Sequence, residues 1–232
     1  MVNNCAAEEI RNQNPVNEDM LLKKTTPVSR VFGLDRGTPI DRYYIDRFLD
    51  VYCTGLMDKS KTYNTLEIGG RVYSEYLKKQ CEGVTFFSDV LDYKKGEDLT
   101  DFSTLKKEYY DLFICTQTFN FIYDIKKAIS GAYYTLNSGG ILLATVAGTI
   151  TPISRYDMNR WGHYWGFTDL SAKKIFSDVF GEDNVSVTAY GNVMAATAFV
   201  QGVAIEDLSD LSSLDYEDDD YQIILGIICL KK

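Results

Sequence analysis

The chain has 232 residues, of which 45% are hydrophobic and 25% charged, and its formal net charge is −9 at pH 7. This length suits a single α/β domain with a sizeable core. The negative charge argues against a nucleic-acid partner, because binding to a phosphate backbone needs clustered Lys and Arg.

The cysteines and the apolar runs indicate the compartment. Five cysteines are scattered and none forms a CxxC pair, so the sequence predicts neither a structural zinc site nor a disulfide framework. The N-terminus has no charged segment followed by an apolar one, and the apolar runs are strand-sized, too short for a membrane span. We therefore expect a cytoplasmic protein of a reducing compartment, without membrane insertion.

The predicted elements begin after a polar, loosely attached arm at residues 1–30. A helix is predicted at Arg42–Leu56 from apolar residues at helical spacing. Strands are predicted at Tyr63–Ile68, Val84–Phe87, Tyr110–Thr116, Ile141–Val146, Val185–Tyr190 and Tyr221–Cys229. Further helices are predicted at Val72–Lys79, Asp124–Leu136 and Ser171–Phe180, with Asn137–Gly140 as a helix-ending turn and Glu206–Asp220 as a solvated loop.

Continuous apolar strands that alternate with helices indicate a mostly parallel sheet with helices on both faces. In such sheets ligands bind at the carboxyl ends of the strands. The first strand ends in LEIGG, where Gly69 permits a tight turn and Glu67 can accept hydrogen bonds from an amino group. An ordinary strand-to-helix turn is an equally good interpretation. NAD or ATP binding is disfavoured, because Arg71 and Tyr73 break the GxGxxG pattern and no phosphate loop occurs.

Five segments in order resemble the class I S-adenosylmethionine (SAM)-dependent methyltransferases: LEIGG, FFSDVLDY, EDLTDF, YDLFICTQTFNFIYDI and LNSGGILLATVAG. The resemblance covers roughly residues 60–230. Two longer segments, VFGLDRGTPIDRYYIDRFL and ISRYDMNRWGHYWGFTDLSAKKIF, resemble a bacterial subgroup associated with capsule and O-antigen gene clusters.

This resemblance implies a Rossmann-like fold with a single domain, seven mostly parallel strands and an antiparallel last strand. It divides the chain into an arm and helix at 1–58 that cover the active site and a methyltransferase domain at 59–232. It also implies SAM as the cofactor, with Glu67 and Gly69 beside the methionine moiety. Asp89 is expected to bind the ribose, with Asp92 as second candidate. The remaining implied cofactor contacts are Asp98 and Leu99 at the adenine, and Thr116 and Gln117 after the strand Tyr110–Thr116. For the aspartates, turn or helix capping is the competing interpretation.

The acceptor is expected at a long connection, residues 147–170, because ordered insertions at the ligand-binding end of a sheet are often functional. Aromatic and charged side chains there suit a sugar or a nucleotide: Arg155, Tyr156, Arg160, Trp161 and Trp165. His163, the one histidine, is the candidate general base, and Asp157 is grouped with it as catalytic. Tryptophans closing the core and a purely structural histidine remain open alternatives.

The arm supplies the other candidate residues. Arg36 and Arg42 could pair with a phosphate through parallel hydrogen bonds, Tyr43 is a third catalytic candidate, and Tyr44 could wall the acceptor. Surface ion pairs and helix capping by Asp41 explain the same residues equally well. No cluster has metal-ligand spacing, so no metal is expected.

The leading hypothesis is an O-methyltransferase that acts on a surface-polysaccharide sugar, on a phosphate-type modification of one, such as a phosphoramidate, or on a nucleotide-linked precursor. Its expected partner is a small-molecule or glycan-linked acceptor, and a homodimer is left open. The alternative is a catalytically degenerate methyltransferase fold that serves as a binding or regulatory protein, because glycines are missing after Gly69.

Overall fold

The computed structural model describes residues 25–55, 57–58 and 60–232. The first 24 residues of the predicted arm, Leu56 at the end of the first predicted helix and Lys59 at the predicted domain boundary lie outside the described residues.

A single mixed sheet of six strands forms the centre of the fold, in the order β2-β1-β3-β4-β6-β5. The strands are β1 (Thr62–Ile68), β2 (Thr85–Leu91), β3 (Tyr110–Thr116), β4 (Leu136–Ala147), β5 (Val185–Tyr190) and β6 (Ile224–Leu230). The first four pair in parallel, and β6 runs antiparallel to both β4 and β5, as expected of the last strand.

The predicted number of seven strands is wrong for the described residues. The stretch between β2 and β3, residues 92–109, contains only short 3-10 turns, two of them capped by Asp92 and Asp101. Carboxylate caps close such turns on themselves, so this polar stretch adds no strand beside β2.

Helices cover both faces of the sheet. They are α1 (Ile40–Gly55), α2 (Val72–Gln80), α3 (Ile125–Thr135), α4 (Arg155–Met158), α5 (Asp169–Phe180) and α6 (Val193–Gln201). One core cluster lies under α1, α2 and α6, and the other lies under α3 and α5. No element is predicted from the sequence where α6 lies, and Asn192 caps the start of this helix. No described helix has the length and apolar content to cross a membrane.

Two connections differ from the predictions. Asn137–Gly140 was predicted as a turn but lies inside β4, because Leu136 pairs with Tyr110 and a register shift before Leu112 absorbs the extra residues. The acidic stretch Glu206–Asp220 was predicted as a solvated loop, yet its carboxylates bind the chain that precedes α1 and α1 itself.

The structure contradicts the prediction that the chain has no disulfide. Cys53, on α1, is bonded to Cys81, directly after α2, and their Cα atoms are 5.7 Å apart. The two cysteines are 28 residues apart, so only the packing of α1 beside α2 brings them together. Cys115 and Cys229 are free and buried, and burial raises the pKa of both thiols. Both thiols are therefore expected to be unreactive.

The titration of Asp46, a carboxyl group on α1, should make the stability of the protein depend on pH. Burial and the neighbouring Asp50 raise the pKa of Asp46 to about 6, against the opposing effect of Arg42. The folded state therefore binds more protons than the unfolded state between pH 3.8 and about 6, and stability falls as pH rises through that window.

We expect Asp46→Asn to raise the free energy of unfolding at pH 7.5 by about 1 kcal/mol, a value reduced because the group is partly solvated. At pH 4 the same substitution should change little, since Asp46 is then protonated. Urea denaturation at the two pH values measures this difference. An equal effect at both would show that Asp46 keeps its ordinary pKa.

Candidate active site

The strand order reverses between β1 and β3, since the chain passes from β1 outward to β2 and then returns to β3 on the other side. In open α/β sheets the ligand crevice lies outside the carboxyl ends of the strands at this reversal. The segments that leave β1, β2 and β3 there define the candidate site.

The turn after β1 has free space beside Gly69, and Glu67 binds the start of the helix that follows this turn. Gly69 has a φ of +73°, and no atom lies within 4 Å of the place a Cβ would occupy. Glu67 is 3% exposed, and its two carboxylate oxygens accept the backbone N–H groups of Tyr73 and Ser74 at 2.9 and 2.8 Å. Glu67 therefore positions the start of α2 behind the turn, with both oxygens engaged by the protein.

The two ribose candidates occupy different places. Asp89 lies within β2, level with Leu66, and its carboxylate accepts hydrogen bonds from Lys106 Nζ at 2.7 Å and the Tyr110 hydroxyl at 3.0 Å. The Lys106 hydrogen bond lowers the pKa of Asp89. Asp92 follows the last residue of β2, level with the Gly69 turn, and among the described residues only its Oδ1 accepts a hydrogen bond, from Lys94 N–H. Of the two candidates, Asp92 is therefore the one at the carboxyl end of β2.

The segment expected at the adenine, Asp98 and Leu99, has polar atoms without a hydrogen-bond partner among the described residues. Asp98 accepts two hydrogen bonds from Thr100, both on Oδ1. Among the described residues no acceptor pairs with the N–H of Leu99. Leu99 is buried against α3, where a Cβ on Gly131 would lie 2.0 Å from the Leu99 carbonyl oxygen. Gly131 therefore lets this segment pack directly on the helix backbone.

The chain turns sharply where it leaves β3. Gln117 has a φ of +47°, a left-handed conformation that is uncommon for a residue other than glycine. Its N–H donates to the carbonyl of Thr145 at 2.8 Å, while Thr116 is the half-buried last residue of β3. Such conformations cluster at functional sites, and this one lies at the reversal of strand order.

The insertion at 147–170 closes at its base and docks onto the segment after β3. Phe167 N–H donates to the Ala147 carbonyl at 2.9 Å where the chain returns. Just before Phe167, the Tyr164 and Trp165 N–H groups both donate to the Asn120 carbonyl. These contacts hold the insertion beside the crevice.

His163 lies at that contact with its ring edge-on to Phe121, at a centroid distance of 5.3 Å. Burial lowers the pKa of His163, against the opposing charge of Asp157. The imidazole is therefore neutral at pH 7, the state a general base needs. Asp157 accepts the Ser154 hydroxyl at 2.6 Å and acts on His163 through its charge.

The other acceptor candidates on the insertion are exposed. Trp161 and Trp165 are 48% and 37% exposed, so they do not close the core. Arg160 stacks on Tyr156 with its guanidinium carbon 3.3 Å from the ring centroid. Arg155 contacts Met158. This surface offers aromatic faces, and these contacts already occupy part of each guanidinium group.

The candidate residues of the arm differ in how far their side chains are already bound by the protein. Arg36 forms two hydrogen bonds of 2.7 Å with Asp207, and Tyr44 is fully buried with its hydroxyl on the Leu214 carbonyl, so neither side chain is free for an acceptor. The Tyr43 hydroxyl donates to Asp215, and burial together with that carboxylate raises the pKa of Tyr43, which keeps the phenol protonated.

Arg42 contacts the helix that follows the Gly69 turn. Its Nη1 donates to the Tyr73 hydroxyl at 2.6 Å, at the start of α2. This contact links α1 to the helix that follows the Gly69 turn.

Two residues at the site were missed by sequence reasoning. Asn120 is 1% exposed, and its carbonyl accepts hydrogen bonds from the insertion. The Tyr73 hydroxyl accepts a hydrogen bond from Arg42. A polar residue between Phe119 and Phe121, just after a buried strand, was the available signal for Asn120. Within the part of the chain that the structure describes, no group of three or more His, Cys, Asp or Glu residues is placed to hold a metal ion.

Comparison with known proteins finds likeness only among solved structures, since no family model and no curated protein matches the sequence. The CurJ carbon methyltransferase superposes with a TM-score of 0.53 at 12% identity, over 100% of this chain and 72% of that chain. A SAM-dependent methyltransferase from Archaeoglobus fulgidus has a TM-score of 0.49 at 13% identity, over 82% and 92% of the two chains. N-methyltransferase NodS from Bradyrhizobium japonicum, in complex with S-adenosylhomocysteine (SAH), has 0.46 at 16%, over 92% and 96%.

The likeness to CurJ, together with the sheet order, defines the class of fold. The chain has the Rossmann-like methyltransferase fold, with one mixed sheet of six strands.

Proposed function

We propose that this protein is a SAM-dependent O-methyltransferase. The observation that carries the proposal is the crevice at the reversal of strand order in a methyltransferase fold. Its rim combines the open Gly69 turn, the acid Asp92 and the unpaired N–H of Leu99.

The crevice residues fit the parts of SAM in turn. The open Gly69 turn leaves room for the methionine moiety to approach the backbone. Asp92, with one carboxylate oxygen unpaired among the described residues, suits the ribose diol. Asp98 Oδ2 and the Leu99 N–H offer an acceptor and a donor to the adenine edge. Bound SAM supplies a methyl group on a sulfonium sulfur, which is a good leaving group.

The protein's own contribution is alignment and proton transfer. Holding the acceptor in line can supply roughly 7–11 kcal/mol of the barrier. We propose that His163, neutral and edge-on to Phe121 just after β3, takes the proton of an acceptor hydroxyl. Asp157 favours the protonated imidazole that results.

The proposed acceptor is a surface-polysaccharide sugar, a phosphate-type modification of one, or a nucleotide-linked precursor. The support is the resemblance of the segments around Arg42 and His163 to the polysaccharide-associated subgroup, and the exposed aromatic faces of the insertion. We propose that the arm and α1 cover the site, since Arg42 joins α1 to the start of α2.

Calorimetric titration of the purified protein with SAM, SAH and NAD tests the cofactor. We expect micromolar binding of SAM and SAH and no binding of NAD, because the turn after β1 lacks the GxGxxG pattern. Folded protein that binds neither adenosyl ligand would reject the proposal in favour of a degenerate fold with a binding role.

The two ribose candidates provide a matched pair of variants. We expect Asp92→Ala to weaken SAH binding about tenfold, the effect of losing roughly 1.4 kcal/mol of hydrogen bonding to the diol. Asp89→Ala should change SAH affinity less than about threefold, because that carboxylate is engaged by Lys106 and Tyr110. Calorimetry on both variants decides, and the reverse order would return the ribose contact to Asp89.

A further inference from the structure

Two side-chain atoms beside the crevice are buried and have no hydrogen-bond partner among the described residues. They are Asn120 Oδ1 and His163 Nδ1. Native proteins pair the large majority of their buried polar atoms, because an unpaired one costs stability. Two such atoms at one place therefore call for a functional explanation.

The two residues lie close together. Asn120 directly precedes Phe121, whose ring contacts the His163 ring, and the Asn120 carbonyl accepts the N–H of Tyr164, the residue after His163. Both therefore belong to the contact between the β3 exit and the insertion, at the carboxyl edge of the sheet.

The chemistry of these two atoms indicates which kind of ligand they bind. Asn120 Oδ1 is an acceptor only, and His163, neutral by burial, offers a lone pair on Nδ1 when Nε2 carries the proton. In that tautomer both atoms accept, so the pair binds a group that donates hydrogen bonds and offers no donor to an oxyanion. Of the arginines expected to bind phosphate, Arg36 forms an ion pair with Asp207, and Arg42 donates one hydrogen bond to the Tyr73 hydroxyl.

We propose that Asn120 and His163 bind the group that receives the methyl, and that this group is a sugar hydroxyl, not a phosphate-type oxyanion. The inference rests on the proposed function and narrows its acceptor to a neutral sugar group. For a hydroxyl, the oxygen lone pair forms the C–O bond as the C–S bond breaks, the bonding pair remains on the sulfur of SAH, and the proton passes to His163 Nδ1.

The neighbouring surface suits a sugar ring. Tyr123 and Trp165 stack at 25° with centroids 6.3 Å apart, and they are 72% and 37% exposed. The Trp165 indole N–H donates to the Ile122 carbonyl at 3.0 Å, which fixes that ring. Flat, fixed aromatic faces beside two acceptors match a pyranose, which presents apolar C–H groups on one face and hydroxyls at its edge.

The first test is the sign of a stability change. Asn120→Leu removes a buried unpaired polar group at similar volume, so we expect it to raise Tm by roughly 2–4 °C. The matched control is Asn192→Leu, because Asn192 is also buried but pairs its side chain with Ala195 N–H and with the carbonyls of Ser213 and Tyr216. That variant should lower Tm. A lowered Tm for Asn120→Leu would overturn the proposal.

The second test uses SAH and inorganic phosphate as probes. Asn120→Leu should keep SAH affinity within about threefold of the wild type, and a loss of more than about tenfold would assign Asn120 to the cofactor instead. His163 is the only histidine, so its ring ¹⁵N signals report one group. In the SAH complex, phosphate at matched ionic strength should leave the pKa of His163 unchanged.

Different outcomes would reject the proposed function and the proposed acceptor group. Wild-type protein that binds neither SAM nor SAH would reject the proposed function. SAH binding together with a phosphate-induced rise in the pKa of His163 would reject this inference alone, since an anion beside the imidazole favours its protonated form.

Discussion

Replacing Glu67 with Gln is expected to lower the free energy of unfolding by about 3 kcal/mol. The buried carboxylate accepts the backbone N–H groups of Tyr73 and Ser74, and hydrogen bonds to a charged group contribute roughly 1.5–3 kcal/mol each. An amide would turn its NH2 group toward one of these N–H donors, so one bond is lost and two donors face each other. Urea denaturation of the variant measures the loss.

The control for this variant is Glu75→Gln, on α2, the helix whose first N–H groups Glu67 accepts. Glu75 is exposed and pairs only with Lys78, so we expect no measurable change. SAH affinity should fall together with stability in Glu67→Gln, because Glu67 positions the start of α2 behind the Gly69 turn. Unchanged stability with lost SAH binding would instead support Glu67 as a direct contact of the methionine moiety.

Gly131→Ala is expected to destabilise the protein by about 2 kcal/mol, although the same substitution ordinarily stabilises a helix by up to about 1 kcal/mol. The new Cβ would lie 2.0 Å from the Leu99 carbonyl oxygen, so the segment that carries Asp98 must move away from α3. We therefore also expect SAH binding to weaken about tenfold. Denaturation and calorimetry on one preparation measure both effects.

Gly55→Ala provides the comparison. Gly55 ends α1, and no atom lies within 4 Å of the place its Cβ would occupy, so the substitution should be neutral or slightly stabilising. If Gly131→Ala behaves like Gly55→Ala, the close approach of Leu99 to α3 does not position the adenine segment.

Much of the fold could be predicted because strong local patterns agree with the tertiary structure. Tyr110–Thr116 and Val185–Tyr190 have the predicted bounds. The antiparallel last strand was also expected, but from the family resemblance and not from a local pattern. The strand count failed because residues 92–109 form capped turns in place of an edge strand.

The candidate site was predicted only in part. Sequence reasoning placed Thr116 and Gln117 where β3 ends, and Asp98 and Leu99 in the connection that follows β2. It ranked Asp89 before Asp92 without knowing which residue of β2 is level with the Gly69 turn, and the register places Asp92 there. It also could not show that Arg36 pairs with Asp207, 171 residues later.

The sequence by itself determined the class of fold and the neighbourhood of the site, because apolar periodicity and strand-ending glycines act over a few residues and need no distant partner. Only the tertiary structure decided what each side chain is free to do. It joined Cys53 to Cys81, buried Tyr44, and left Asn120 Oδ1 and His163 Nδ1 without a hydrogen-bond partner among the described residues. Pairing and burial are set by residues far apart in the chain, and no local pattern contains that information.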